Sequence, residues 1–195
     1  MLIKIYGSAI FGVSAQTITI EVNIDTGGVG YHLVGLPDSA IKESSYRISA
    51  ALKNVGYKIP GKKITINMAP ADLRKEGAAY DLSIAMGILI ASDQIVADNV
   101  QDYIIMGELS LDGSLQPIKG VLPIAIQARE EGFKGIILPK QNTREAAIVN
   151  NLDVYGVENI KEVIDFFNEG KPLQKVELDT RKEFQEKINQ FPFDF

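Results

Sequence analysis

Cysteine is absent from the 195 residues, and histidine occurs once. The first absence excludes disulfides and thiolate metal sites. The second argues against a Ser-His-Asp triad, and His32 alone cannot build a zinc site without two or three further ligands. His32 sits in the strand-like run YHLVG and reads as structural. An excess of basic residues is missing too, with 20 Lys and Arg against 25 Asp and Glu and a formal net charge of −5. That balance argues against a free-standing nucleic-acid binder, whose phosphate contacts need surplus cations. No apolar run reaches the length of a membrane span, and no basic region with a long apolar stretch opens the chain. A soluble cytoplasmic protein without membrane partners is expected. A phosphate-binding loop of the form G-x-x-x-x-G-K-[ST] is also lacking. Gly27-Gly28-Val29-Gly30 has no lysine and precedes a strand, so ATP is not expected to bind in that way.

What is present is ordinary globular material: 46% hydrophobic and 23% charged residues, enough for a sizeable core. Residues 1–25 hold two strand-like runs, the second alternating through Ile18, Ile20, Val22 and Ile24. A turn at Thr26-Gly27-Gly28 leads to a third short strand over 31–34, so the opening predicts an antiparallel meander. Gly35-Leu36-Pro37 breaks the pattern. Residues 37–54 predict one amphipathic helix with Lys42, Glu43, Ser44 and Arg47 on its polar face. Residues 62–68 predict a strand, and 102–111 a second one running into a hairpin at Asp112-Gly113. The alternation of helices and strands from 121 to 168 implies parallel pairing with helices packed on the sheet. From residue 170 the texture becomes charged and aperiodic, which predicts a linker over 170–195 after a domain spanning 1–169. Phe191, Phe193 and Phe195 end it with nothing in their own segment to pack on.

The stretch 67–89, NMAPADLRKEGAAYDLSIAMGIL, organises the rest. A strand runs into a polar loop holding Asp72, Arg74, Lys75 and Glu76, and an apolar helix follows with Asp81 placed to cap its first turn. Rigid elements on either side of a charged loop make a frequent site architecture, although an ordinary connection reads the same way. Three chemistries can be drawn from these residues. A Ser-Lys dyad would use Ser83 with Lys75 or Lys119, while the alternative leaves Ser83 in the core. Asp72, Glu76, Asp81 and Glu108 would hold Mg²⁺ if they converged. The loop carrying Lys53, Lys58, Lys62 and Lys63 around Tyr57 would touch phosphates or an acidic partner, or simply be solvated.

Two long segments carry a more specific signal. LPDSAIKESSYRISAALKNVGYKIPGKKITINMAPADLRKEGAAYDLSIAMGIL and GELSLDGSLQPIKGVLPIAIQAREEGFKGIILP occur in order. Together they resemble the N-terminal domain of the magnesium-chelatase-like AAA+ ATPases of the YifB/ComM type, across most of residues 1–168. The tail DTRKEF…FPFDF is similar to the linker entering that family's ATPase domain. The resemblance implies an α/β (α+β) fold similar to the proteolytic domain of Lon and to a ribosomal-protein domain. It implies a mixed sheet whose opening meander is followed by βαβ units. The Lon nucleophile pattern K-D-G-P-S-A-G meets Lys75-Glu76-Gly77-Ala78-Ala79 here, and the lysine pattern P-I-G-G-L-K meets Pro117-Ile118-Lys119-Gly120-Val121-Leu122. Alanine and leucine thus stand where the dyad would be, unless a slip of a few residues brings in Ser83 and Lys119. The resemblance therefore implies a non-catalytic scaffold that contacts its own ATPase domain and neighbouring subunits, as in a ring. ATP, Mg²⁺ and action on DNA would belong to the complete protein.

Overall fold

Ile18, Ile20, Val22 and Ile24 are all buried, as their spacing requires, along β2 (Ser14–Asp25). β1 (Leu2–Phe11) pairs with β2 antiparallel over its full length, from Leu2↔Asn23 to Phe11↔Ser14. These two strands form the centre of the computed structural model, which describes residues 1–190. Phe191, Phe193 and Phe195 lie outside the described residues.

The chain continues through β3 (Gly30–Val34), α1 (Ser39–Lys42), α2 (Ser44–Asn54), β4 (Lys63–Ala69) and α3 (Asp81–Ala91). It then forms β5 (Tyr103–Ile105), β6 (Glu108–Leu109), β7 (Leu115–Gln116), α4 (Val121–Glu130) and β8 (Gly135–Pro139). The last elements are α5 (Thr143–Ala146), β9 (Asp153–Val157), α6 (Ile160–Glu169) and α7 (Thr180–Gln190). Seven strands make one mixed sheet in the order β3-β4-β2-β1-β5-β8-β9, and β6 and β7 form a separate hairpin.

The expected meander is corrected. β3 does not follow β2 in the sheet but lies beyond β4, parallel to it, with Tyr31 opposite Ile64. The reason is the helical crossover: α1 and α2 separate β3 from β4, and a strand-helix-strand unit places its strands parallel. That leaves the free side of β2 to β4, which fills it antiparallel from Thr19↔Ala69 to Asp25↔Lys63. The single helix over 37–54 is also divided, with Glu43 standing between α1 and α2. The strand expected over 102–111 breaks after Ile105. The Gly107 amide donates to the Ala79 carbonyl at 2.8 Å and its carbonyl accepts from Leu82 at 3.0 Å, so the loop before α3 takes this peptide out of the sheet. The β-α alternation after residue 121 forms as expected, with β5, β8 and β9 parallel.

Every residue of α3 is buried, which its lack of a polar face predicts. It packs over β1 and β2, with Gly87 at the closest approach. A β-carbon on Gly87 would sit 2.6 Å from Val22 Cγ2. Gly87→Ala is therefore expected to overpack this contact and cost about 1–3 kcal/mol, read as a lower urea midpoint at constant slope.

The segment read as a linker has two structured parts. Residues 174–176 run antiparallel along β9, where the Val176 amide donates to the Val154 carbonyl at 2.8 Å and Lys175 pairs with Asp153 at 3.0 Å. α7 then forms despite the absence of an apolar period, and Arg144 pairs with its Glu183. No helix among the described residues is long and apolar enough to cross a membrane.

Candidate functional site

A cleft of about 820 Å³ opens where β1 runs past the end of β5. Its walls are the end of β1, the loop 76–80 before α3, the β5–β6 junction and the turn 117–119 ahead of α4. Ala78 and Ala79, which meet the proline and nucleophile positions of the Lon pattern, line it, and so does Lys119. Leu122, at the position of the Lon lysine, is half-buried in the first turn of α4.

Ser83 is not part of this cleft. It is fully buried, and its hydroxyl donates to the Ile105 carbonyl of β5. Lys119 is exposed at the rim. The alternative Ser83–Lys119 pairing does not form, and Ser83 lies in the core as the other reading had it: helical phase turns it inward to the sheet, while Lys119 stands exposed on the turn 117–119. Lys75 is no base for Ser83 either. Its ammonium is buried and donates to the carbonyls of Gly35, at 2.7 Å, and of Pro70. Burial pulls its pKa below the ordinary lysine value, and nearby Asp72 opposes that shift.

The charged loop does not act as one cluster. Asp72, Arg74 and Glu76 are exposed, and Arg74 pairs with Glu76 at 3.4 Å. Gly77 donates its amide to Asp38 at 2.9 Å, and the other oxygen of Asp38 caps α1 by accepting from Ile41. Asp38 thereby ties the cleft loop to a helix start, a link the sequence reading did not contain.

Asp81 does not cap α3. Its side chain is 1% exposed and accepts from Arg47 Nε at 2.7 Å, from Arg47 Nη2 at 2.9 Å and from the Leu109 amide at 3.1 Å. Burial pushes its pKa up, and the guanidinium and the amide act against that. Arg47, expected on an exposed helix face, instead turns inward and also donates to the Ala40 carbonyl at 2.7 Å. Its own pKa rises because the bond to Asp81 favours the charged form. With Asp81 committed in this way, Asp72, Glu76, Asp81 and Glu108 do not gather as a cation site. Among the described residues no group of three acidic or histidine side chains could hold a metal ion.

Two phenols beside these networks titrate late. Burial raises the Tyr31 pKa to about 12, with Asp81 adding to the rise, while Ser44 and Arg47 oppose it. The Tyr31 hydroxyl and Ser44 Oγ lie close together yet fall short of hydrogen-bond geometry, so burial dominates. Tyr80 on the cleft wall is also raised, first by burial and then by Asp38 and Glu76. A phenol raised in the folded state contributes stability that is complete below the unfolded value of 10.0 and is lost as pH climbs towards the folded one. Stability is therefore expected to fall above pH 10, and Tyr31→Phe should shift alkaline unfolding, followed by phenolate absorbance and circular dichroism, to higher pH.

Lys53, Lys58, Lys62 and Lys63 are all exposed. Lys58 is held through its backbone, which bonds the Gln94 side chain on both its amide and its carbonyl.

The fold and its cleft define a class, the Lon-like mixed α/β domain. Lon protease 2 of Bacillus subtilis is 32% identical over 130 residues, 65% of this chain and 23% of that protein. Within this class the chain belongs to the ChlI family, subunit ChlI of Mg-chelatase, whose family model matches residues 20–142. Competence protein ComM of Haemophilus influenzae is 43% identical over 164 residues, covering 84% of this chain and 32% of ComM. The uncharacterized protein YifB of Escherichia coli is 42% identical over 167 residues, 86% of this chain and 33% of YifB. The chain thus spans about a third of the length of these relatives.

Proposed function

We propose that this chain is a non-catalytic interaction domain of a magnesium-chelatase-related AAA+ ATPase of the ComM/YifB kind. The observation that carries the reading is the cleft itself. Ala79 lines it where a Lon nucleophile would stand, Ser83 and Lys75 are engaged elsewhere, and Lys119 is exposed at the rim. Without a nucleophile beside a base, bound peptide has no activated group to attack it. ATP with Mg²⁺ is left to the remainder of a longer protein, a reading supported by the lack of a G-x-x-x-x-G-K-[ST] loop in this sequence. ATP hydrolysis and any action on DNA are assigned to the remainder of a longer protein. The partners of this domain are then the ATPase domain of the same protein and neighbouring subunits.

Two assays test this. Incubation of the chain with unfolded casein should release no fragments, and Ser83→Ala should change nothing except stability, by about 1 kcal/mol for the lost buried hydrogen bond. Fragment release that disappears in Ser83→Ala would restore the peptidase reading. In a full-length relative such as ComM, deletion of the corresponding domain should leave ATP turnover measurable but alter assembly. Loss of nothing in assembly would remove the interaction role.

A further inference from the structure

β3 is the end strand of the seven-stranded sheet and pairs with β4 alone among the described residues. The Gly30 amide donates to the Lys62 carbonyl at 3.4 Å, which fixes the phase of the ladder. In a parallel pair alternate residues bond the neighbouring strand. Gly30, His32 and Val34 therefore turn their backbone groups to β4, and Tyr31 and Leu33 turn theirs to the open edge. Past Val34 the chain leaves this line, because the Leu36 carbonyl accepts from the Lys75 amide at 3.1 Å and the Asp38 amide donates to the Lys75 carbonyl at 3.0 Å.

Natural edge strands are commonly blunted by a charge, a proline or a bulge. β3 has none of these. Its register with β4 runs unbroken from Gly30↔Lys63 to Val34↔Asn67, and no charged residue lies between Asp25 and Asp38. Apolar surface collects along it instead. Val29 is 83% and Val34 47% exposed, while Tyr31 and Leu33 pack on the core yet stay only half-buried. The β9 end of the sheet, by contrast, is taken by residues 174–176 of the same chain.

The β3 edge is complementary to itself. When a second copy is turned antiparallel about a two-fold axis through His32, its Leu33 falls opposite Tyr31 and its Tyr31 opposite Leu33. These are the residues whose amides and carbonyls point outward, and residues directly opposite in such a pair exchange both bonds. The same pairing sets an aromatic side chain against an aliphatic one on the core side of each strand, a favourable cross-strand contact. Val34 of one copy falls opposite Gly30 of the other. The His32 ring leans over that glycine, where a β-carbon would come within 2.7 Å of Nε2, so the valine meets an imidazole and not a gap. Each copy carries a net charge of −5, but the segment 26–37 brings none of it to the contact.

We propose that β3 is a homodimerisation edge, through which two copies of this chain pair antiparallel over residues 30–34 with His32 at the axis. A two-fold contact uses the same patch on both partners, and an antiparallel strand pair meets that requirement. The pairing needs no ATPase domain, so it stands or falls separately from the interaction-domain reading.

The test follows the mass of the 195-residue chain by light scattering from micromolar to millimolar concentration, with amide exchange measured at both ends of that range. The mass should climb from 21.3 kDa towards twice that value. The Tyr31 and Leu33 amides should exchange more slowly in the concentrated sample, whereas those of Gly30, His32 and Val34, bonded to β4 throughout, should keep their rates. His32→Lys sets two ammonium groups opposite each other at the axis and should raise the dissociation constant about fivefold. Val96→Lys adds the same charge at an exposed site whose amide bonds Asn168 of α6, and should leave the constant unchanged. Should His32→Lys not fold, the exchange pattern of the unaltered chain decides alone. A mass that stays at 21.3 kDa at millimolar concentration, or an association in which the Tyr31 and Leu33 amides exchange as before, overturns the pairing and leaves the interaction-domain reading standing.

Discussion

Arg47→Ala is expected to lower the unfolding free energy by about 3–5 kcal/mol, because it strands the Asp81 carboxylate in the interior with only the Leu109 amide for support. The guanidinium is no ordinary surface charge. It joins α2 to the start of α3 and, through the carboxylate it grips, to β6. The cost should therefore come mostly from the orphaned anion and less from the lost attraction. A double replacement distinguishes the two. Arg47→Met with Asp81→Leu removes both charges and keeps bulk, and it should recover most of the loss. Urea unfolding of the two single variants and the double variant makes the cycle. If the double variant is as unstable as the sum of the singles, the two residues are not coupled and the account of this pair fails.

Gly35→Ala is the second large effect. Gly35 has φ +100, where a side chain strains the backbone, and a β-carbon there would lie 2.2 Å from the Met68 carbonyl oxygen. That atom belongs to the backbone of β4 and has no rotamer by which to escape. The same glycine supplies one of the two carbonyls that hold the Lys75 ammonium. Displacing it disturbs the end of β3, the β4 terminus and a buried cation together. A loss of about 4 kcal/mol or more is expected, large enough to appear as a failure to accumulate folded protein. Normal expression with an unchanged unfolding midpoint would contradict it. Gly61→Ala provides the control, since a β-carbon there meets nothing.

These two positions also show what was legible beforehand. Gly35 was readable as an interruption, because Gly-Leu-Pro ends a strand in any context. That β4 passes within contact of it was not, since the neighbour lies more than thirty residues on and reaches it only once β3 crosses over. The core of β2 and the burial of α3 were read correctly from alternation and from an unbroken apolar run. The order of strands was read less well, because pattern gives the buried face of a strand and not its neighbour. Of the residues singled out in the charged stretch, Glu76 and Gly77 line the cleft, Asp72 is exposed outside it, and Lys75 and Asp81 are buried in bonds of their own. Asp81 looks like a helix cap in one dimension, and only the inward turn of Arg47 gives it another partner. Ser83 likewise looked like a nucleophile candidate until helical phase placed it against β5.

The sheet is finished differently at its two ends. Residues 174–176 run along β9, whereas β3 at the far end pairs only with β4 among the described residues. A sheet finished in this way has a combining valence of one along its hydrogen-bonding direction. Two copies meeting through β3 would exhaust each other's free edge, and their joined sheet would present a closed margin at both extremities. Growth by sheet extension would stop at a pair and could not propagate into a fibre, which makes the short run over 174–176 a chain terminator in the polymer chemist's sense.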